Sequence, residues 1–163
     1  MQEYQSEAIV LDAVPAGESD TRFFLYTKKY GRIVARAQSA RKITSKLTPH
    51  LQAGDVAEIR VVEKNGLRLA DALKMRRLPH APGDLWGLNR LLHDTERDDR
   101  LWHALCADMY SWRGVLTLIG WDPERAVCTR CRNAGKAFLI GTQEFVCETH
   151  ASKLPPGAVV SIA

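Results

Sequence analysis

Val56-Ala57-Glu58-Ile59-Arg60-Val61-Val62-Glu63-Lys64-Asn65-Gly66-Leu67-Arg68-Leu69-Ala70-Asp71-Ala72-Leu73 is the stretch that decides the fold. Ala57, Ile59 and Val61 oppose Glu58 and Arg60, which is the two-residue period of a strand with one face buried. Asn65-Gly66 tolerates positive φ at both turn positions and so marks a tight hairpin, with Leu67 to Leu73 as the returning strand. Upstream, Ala8-Ile9-Val10-Leu11 is an apolar strand that ends near Pro15-Ala16-Gly17. Thr21 to Thr27 is rich in aromatic and β-prone residues, and Lys29-Tyr30-Gly31 follows as a turn. Arg32 to Ala37 alternates, with Arg32, Val34 and Arg36 on one face and Ile33 and Ala35 on the other. One of Phe23 and Phe24 belongs in the core, because successive strand residues face opposite ways. Five short strands between Ser6 and Lys74 predict a small barrel. The OB-fold is the five-stranded candidate, and an SH3-like barrel has the same strand count.

Pro79, Pro82 and Gly83 end the strand pattern. Leu85, Leu88, Leu91 and Leu92 then recur at helical spacing, with Trp86 beside them and Asp84 placed to cap. A longer helix is predicted from Asp98 or Asp99, with an apolar stripe through Leu101, Leu105, Met109 or Tyr110, Trp112, Leu116 and Ile119. Gly120 and Pro123 stop it. The whole reads as an α+β chain of three parts. Residues 1–80 are the barrel, 81–123 a helical segment, and 124–163 a zinc-ribbon-like module with a tail.

Cys128-Thr129-Arg130-Cys131 and Cys147-Glu148-Thr149-His150 are two C-x2-[CH] pairs separated by fifteen residues. That is the spacing of a structural zinc site, in which each tight turn aims two ligands at one ion. Four protein ligands leave no position for water or substrate, so such a site scaffolds. Gly135 and Gly141 offer flexible points between the pairs, and Phe138–Ile140 can pair with Glu144–Val146. A disulfide, free thiols or a redox C-x2-C pair are the competing readings. Cys106 falls on the apolar helical stripe and is expected to be buried and metal-free.

With 45% hydrophobic and 26% charged residues the composition is that of an ordinary globular protein. The first residues lack the basic and apolar regions of a signal peptide, and no apolar run is long enough to span a membrane. A cytoplasmic, nucleoid-associated protein in a reducing compartment is the expectation, where clustered cysteines suggest metal before disulfide. Residues 1–80 hold fourteen Lys/Arg against nine Asp/Glu, and residues 81–163 hold nine against ten, so the positive charge belongs to the first half. Between Asp20 and Asp55 there is no acidic residue, while Arg22, Lys28, Lys29, Arg32, Arg36, Arg41, Lys42 and Lys46 all lie there. Phe23, Phe24, Tyr26 and Tyr30 add aromatic faces. Distributed cations suit a phosphate backbone and flat rings suit unpaired bases, so these eight residues are candidate nucleic-acid contacts. A solvated basic face is the plainer alternative. An enzyme is not expected: His50, His80, His93 and His103 are scattered, and Asp94, Glu96, Asp98 and Asp99 suit a helix–helix loop.

The runs Ala8 to Leu11, Gly17-Glu18-Ser19-Asp20, Tyr26 to Ile33 and Ala37-Gln38-Ser39-Ala40-Arg41-Lys42 resemble the amino-terminal domain of the RecO family of bacterial recombination mediators. The order of barrel, helices and zinc module is also that family's order. The resemblance implies a DNA repair and recombination protein that is not a bond-breaking enzyme. Such a protein binds single- and double-stranded DNA, anneals complementary strands, and acts with RecR to load RecA onto DNA coated by single-stranded-DNA-binding protein. It carries the family's basic surface onto Arg22, Arg32, Arg36, Arg41, Lys42 and Lys46. Ser39 stands where the family's turn often has glycine. Family members usually continue, after the zinc module, into helices that help receive the tail of single-stranded-DNA-binding protein, so a short or truncated member is expected. The alternative from a different class is an OB-plus-zinc-ribbon subunit of transcription or translation machinery that binds RNA or protein.

Overall fold

The computed structural model describes residues 1–163, which form two compact units, Met1–Asp99 and Arg100–Ala163. The first unit contains β1 (Gln2–Ala16), β2 (Asp20–Thr27), β3 (Gly31–Ala37), β4 (Asp55–Glu63), β5 (Leu67–Arg77) and α1 (Pro82–Leu91). The strands close in the order β1-β2-β3-β5-β4, with β4 returning to β1. This is OB-fold topology, and it resolves the ambiguity left by strand count.

Closure depends on the length of β1. Gln2 to Ile9 pair with β4 and Ala8 to Ala16 pair with β2, with a register shift between Val10 and Asp12. Such an irregularity bends a strand far enough to serve two neighbours. The opposite closure is slight: β3 and β5 run parallel and are joined at one pair, Arg36 and Arg68. Inside the barrel lie Ala8, Val10, Phe23, Leu25, Ala35, Ala37, Ala57, Ile59, Val61, Leu69 and Ala72. The five alanines suit a narrow interior that larger side chains would overfill. Phe23 is the core residue of its pair, at 3% exposure.

Ala8 to Leu11 are all buried, although a strand can turn only alternate residues inward. The outward set is covered by α1, which packs against β1 through its face of Leu85, Leu88 and Leu92. That explains the unbroken apolar run. Pro82 occupies the first turn of α1 and Ala81 is the N-cap, so Asp84 sits inside the first turn instead of capping it. Asp55, at 0% exposure, takes Lys74 Nζ at 2.9 Å and Arg77 Nη1 at 3.1 Å on the same carboxylate oxygen. The pair fastens the start of β4 to the end of β5.

After α1 the chain crosses back over the β2–β3 turn. Arg32 N–H donates to Thr95 O at 2.9 Å. The buried Tyr26 hydroxyl donates to Glu96 O and accepts from Asp98 N–H, each at 3.3 Å. A Cβ on Gly31 would stand 2.5 Å from Glu96 C and from Thr95 O, and φ there is +71°.

The second unit contains α2 (Asp99–Cys106, its first residue at the boundary), α3 (Trp112–Leu118), β6 (Ala137–Leu139), β7 (Glu144–Val146), α4 (Glu148–Ala151) and β8 (Val159–Ser161). The single long helix expected from the apolar stripe is instead α2 and α3. Ser111 interrupts it: its backbone is extended, and its Oγ accepts the Gly114 N–H at 3.4 Å as an N-cap. The β6–β7 hairpin forms with its first strand one residue earlier than expected, Ala137–Leu139 in place of Phe138–Ile140. The tail contributes β8 on the other side of β6, giving the order β7-β6-β8. Trp121, Phe138 and Phe145 pack as a three-ring edge-to-face cluster at 5.0–5.8 Å. Gly135 is needed for close approach more than for flexibility, since a Cβ there would meet Ala126 Cβ at 2.8 Å. No helix is long and apolar enough to cross a membrane.

Candidate metal centre and nucleic-acid face

Two local devices build the first site. Cys128 and Cys131 sit on a tight turn, in which Arg132 N–H reaches Cys128 O at 2.9 Å and Arg132 adopts φ +68°. Cys147 is the N-cap of α4 and His150 lies within its single turn. Doubling back through β6 and β7 brings the pairs together, and all four ligand atoms lie within 4.8 Å of one another. Cys128 Sγ and Cys147 Sγ stand 3.5 Å and 3.2 Å from His150 Nδ1, and Cys131 Sγ stands 3.6 Å from Cys147 Sγ. A tetrahedral ion with bonds of about 2.3 Å to sulfur and about 2.0–2.1 Å to nitrogen needs ligand separations of roughly 3.5–3.8 Å. The donor set therefore fits one metal ion. None of the four cysteines is in a disulfide, and the Cys131–Cys147 separation is far beyond the ~2.05 Å of an S–S bond.

Burial pushes the Cys128 thiol up. The N–H groups of Cys147, Arg130 and Cys131, together with the His150 ring, outweigh it and bring the thiol down to about 6. Asn133 N–H lowers the Cys131 thiol, but desolvation and the sulfurs of Cys147 and Cys128 leave it raised. Thiolates packed this closely repel unless a cation lies between them. Cys106 lies outside the cluster and is half-buried, more exposed than its place on the apolar stripe predicted.

The second candidate site is on the barrel. Register places Arg22 opposite Arg36 and Arg36 opposite Arg68, so three arginines form one row across β2, β3 and β5. Arg68 escaped the sequence reading because it lies outside the acid-free interval. Its signal was the alternation of the hairpin itself, which sets it opposite to Leu67 and Leu69. Beside the row, the segment from Gln38 to Gly54 is pinned. Arg41 N–H reaches Ser19 O at 3.0 Å, the Arg41 guanidinium bonds Glu18 O, and Thr48 Oγ1 bonds Ala40 O. Lys42, Ile43 and Lys46 project as its exposed tip. Asp20 holds the start of this segment: it accepts Ser39 N–H at 2.8 Å on one oxygen and Arg36 Nε at 2.8 Å on the other. Ser39 has φ +53°, a conformation that favours glycine.

The other candidates are placed differently. Arg32 lies 5.0 Å over the Phe24 ring and donates to Asn89 Oδ1 at 2.8 Å, so it ties β3 to α1. Burial lowers its guanidinium below the ordinary range. Lys28 is paired with Glu7 at 2.9 Å. Lys28 and Lys29 lie six or seven residues along from Arg22, on the order of 20 Å at about 3.3 Å per residue, at the opposite end of the barrel from Arg41, Lys42 and Lys46. The aromatic faces are mostly unavailable for stacking. Phe23 and Tyr26 are buried, Phe24 is covered by Arg32, and Tyr30 packs on Tyr4 at 5.3 Å. Alternation buries the first, and the crossing 93–98 segment buries Tyr26.

The family model for Recombination protein O N terminal matches residues 1–77. Those residues are a RecO amino-terminal domain. The match covers all five strands of the barrel and the arginine row, and it ties the chain to DNA repair and recombination. No curated protein sequence matches the chain. The RecO resemblance drawn from Ala8–Leu11, Gly17–Asp20 and the following runs falls within the matched residues.

Proposed function

We propose that the chain is a RecO-type recombination mediator that binds single- and double-stranded DNA and anneals complementary strands without bond-breaking chemistry. The observation that carries this reading is the row of Arg22, Arg36 and Arg68 beside the Lys42–Lys46 tip, on a RecO amino-terminal barrel. Phosphates carry no sequence information, so contacts of this kind bind any strand. A cationic face that holds two polyanions close together gives bases time to pair. Loading of RecA together with a RecR-like protein on strands coated by single-stranded-DNA-binding protein, in the cytoplasm at the nucleoid, follows from the same reading. Arg41, Lys42 and Lys46 extend the surface. Lys28, Lys29 and Arg32 contribute least, given their ion pair, their distance and the Asn89 bond respectively.

Zinc is the metal proposed for Cys128, Cys131, Cys147 and His150, since three thiolates and one imidazole suit it in tetrahedral coordination. Bound there, it supplies structural cross-linking with no open position for substrate.

Fluorescence anisotropy with a labelled single strand, measured at several salt concentrations, tests the DNA reading. Each phosphate contact removed flattens the log–log salt slope by about 0.7. Arg22→Ala with Arg68→Ala is expected to lose about two such contacts, and Arg41→Glu with Lys42→Glu to weaken binding across all sequences. Arg97→Ala, away from the row, is expected to change little. Unaltered affinity and slope in both double variants would move the DNA surface elsewhere. Tighter binding to RNA than to DNA would favour the transcription or translation reading.

A further inference from the structure

The barrel opens at the end opposite the Gln38–Gly54 segment. There the start of β1 and the β2–β3 and β4–β5 turns surround a cavity of about 280 Å³ that enters the barrel interior. Its walls are Ile33, Ile59, Val61 and Leu67, and Tyr4 and Tyr30 stand at its mouth in an edge-to-face pair, 5.3 Å between centroids. The lining holds a single charge, Glu63, whose Oε2 accepts the Tyr4 hydroxyl at 2.8 Å.

Three observations define what such a cavity takes. The first is size. A dry cavity of roughly 150 Å³ accommodates benzene, so one about twice as large accommodates a fused bicyclic ring. The second is polarity. Ser6 Oγ is used by Glu7 O and Lys29 N–H at 2.9 Å and 3.1 Å, and Thr27 Oγ1 by Gly31 O and Tyr30 N–H at 2.8 Å and 3.0 Å. What remains is the Tyr30 hydroxyl at the mouth and Glu63 Oε1, the only charged acceptor in the lining, on a carboxylate whose partner oxygen is held by Tyr4. The third is charge. A lone carboxylate with no lining cation repels anions and favours a neutral or cationic donor.

We propose that this cavity binds an indole-type ring, a bicyclic aromatic carrying one N–H, with the N–H directed at Glu63 Oε1. The source is either a free indole amine or a tryptophan side chain of a partner polypeptide. The inference stands apart from the arginine row and does not depend on DNA binding.

Methyl NMR of the full chain, with indole, tryptamine, N-acetyltryptophanamide and benzothiophene as probes, tests the proposal. Indole is expected to give saturable shifts confined to Ile33, Ile59, Val61 and Leu67. Benzothiophene, of the same shape but without the N–H, is expected to bind about tenfold more weakly. Glu63→Gln is expected to weaken indole severalfold while leaving benzothiophene unchanged. Val61→Phe, with its melting temperature checked, is expected to abolish both. Binding of N-acetyltryptophanamide as well as indole assigns the site to a polypeptide partner, and binding of tryptamine and indole alone assigns it to a small amine. Equal affinity for indole and benzothiophene, shifts produced by nucleosides in preference to indole, or no saturable shifts at these methyls would overturn it.

Discussion

Gly31 meets two demands at once, a left-handed backbone and the passage of Thr95–Arg97 directly over its Cα. Gly66 shares the positive φ, at +100°, but has open space where a Cβ would be. The two positions therefore separate conformational cost from collision. Gly66→Ala is expected to cost about 1–2 kcal/mol. Gly31→Ala is expected to cost about 3 kcal/mol or more, because its clash is with backbone that no rotamer can relieve. Chemical denaturation of both variants checks this, and equal losses would mean that the crossing segment yields freely. Asp20 is the second informative residue. The Ser39 N–H lowers its carboxyl below the ordinary 3.8, against the opposing effect of burial and with help from Arg36 and Arg68. A depressed folded value means that the stabilisation is complete above the unfolded value and is lost as pH falls through the folded one. Asp20→Asn should thus melt lower than the native chain at pH 7, and the gap should close below about pH 4 as the carboxylate takes up its proton. A gap that persisted at pH 2 would assign the loss to something other than charge.

Elements were legible where a single period acts undisturbed. The Val56–Leu73 hairpin, the β3 faces and the β6–β7 pairing were all readable from alternation and turn residues. The break between α2 and α3 was not, because the apolar stripe continues across Asp108–Ser111 while the local Ser111 cap competes with the helix. The strand β8 was missed for a different reason. A three-residue edge carries almost no pattern of its own and exists because β6 offers a free edge. The clustering of Cys128, Cys131, Cys147 and His150 was the most legible feature, since residue type and spacing alone pointed to it. Its energetic role can be measured. A structural zinc supplies on the order of 10 kcal/mol to so small a module. Cys147→Ser removes a ligand while leaving a residue well suited to the N-cap of α4, so the loss it causes reports on the metal. It is expected to release the proposed zinc and unfold β6, β7 and α4. Metal analysis with circular dichroism checks this, the native chain holding about one zinc. A folded, metal-free variant would show that the three-ring cluster is sufficient alone.

At the scale of the whole molecule, sequence distance proved a poor guide to charge. The interval from Thr21 to Gly54 is free of acid along the chain but not in space. Glu7 reaches Lys28 from β1, and Asp20 reaches Arg36 from the edge of the interval. The same folding that brings in these acids adds Arg68, which belongs to a different stretch of sequence. Eight cations in a row along the chain thus become a shorter row across the barrel, with Lys28 and Lys29 at the opposite end. Composition revealed that the barrel is basic, and register was needed to show which face.

The barrel's narrowest closure is also where two like charges meet. Arg36 and Arg68 are the one paired position between β3 and β5, and Asp20 is a counter-ion to both, bonded to Arg36 and within electrostatic reach of Arg68. The free protein should accordingly breathe along this seam, its backbone amides exchanging with solvent sooner than those of the long β1–β4 ladder. A bound phosphate would neutralise the repulsion and act as a clasp. With a single strand present at about a hundred times its dissociation constant, amide protection along β3 and β5 should rise by up to about a hundredfold. Hydrogen exchange read by mass spectrometry would register it, and a seam that stayed as open in the complex as in the free chain would mean that DNA is held without touching this pair.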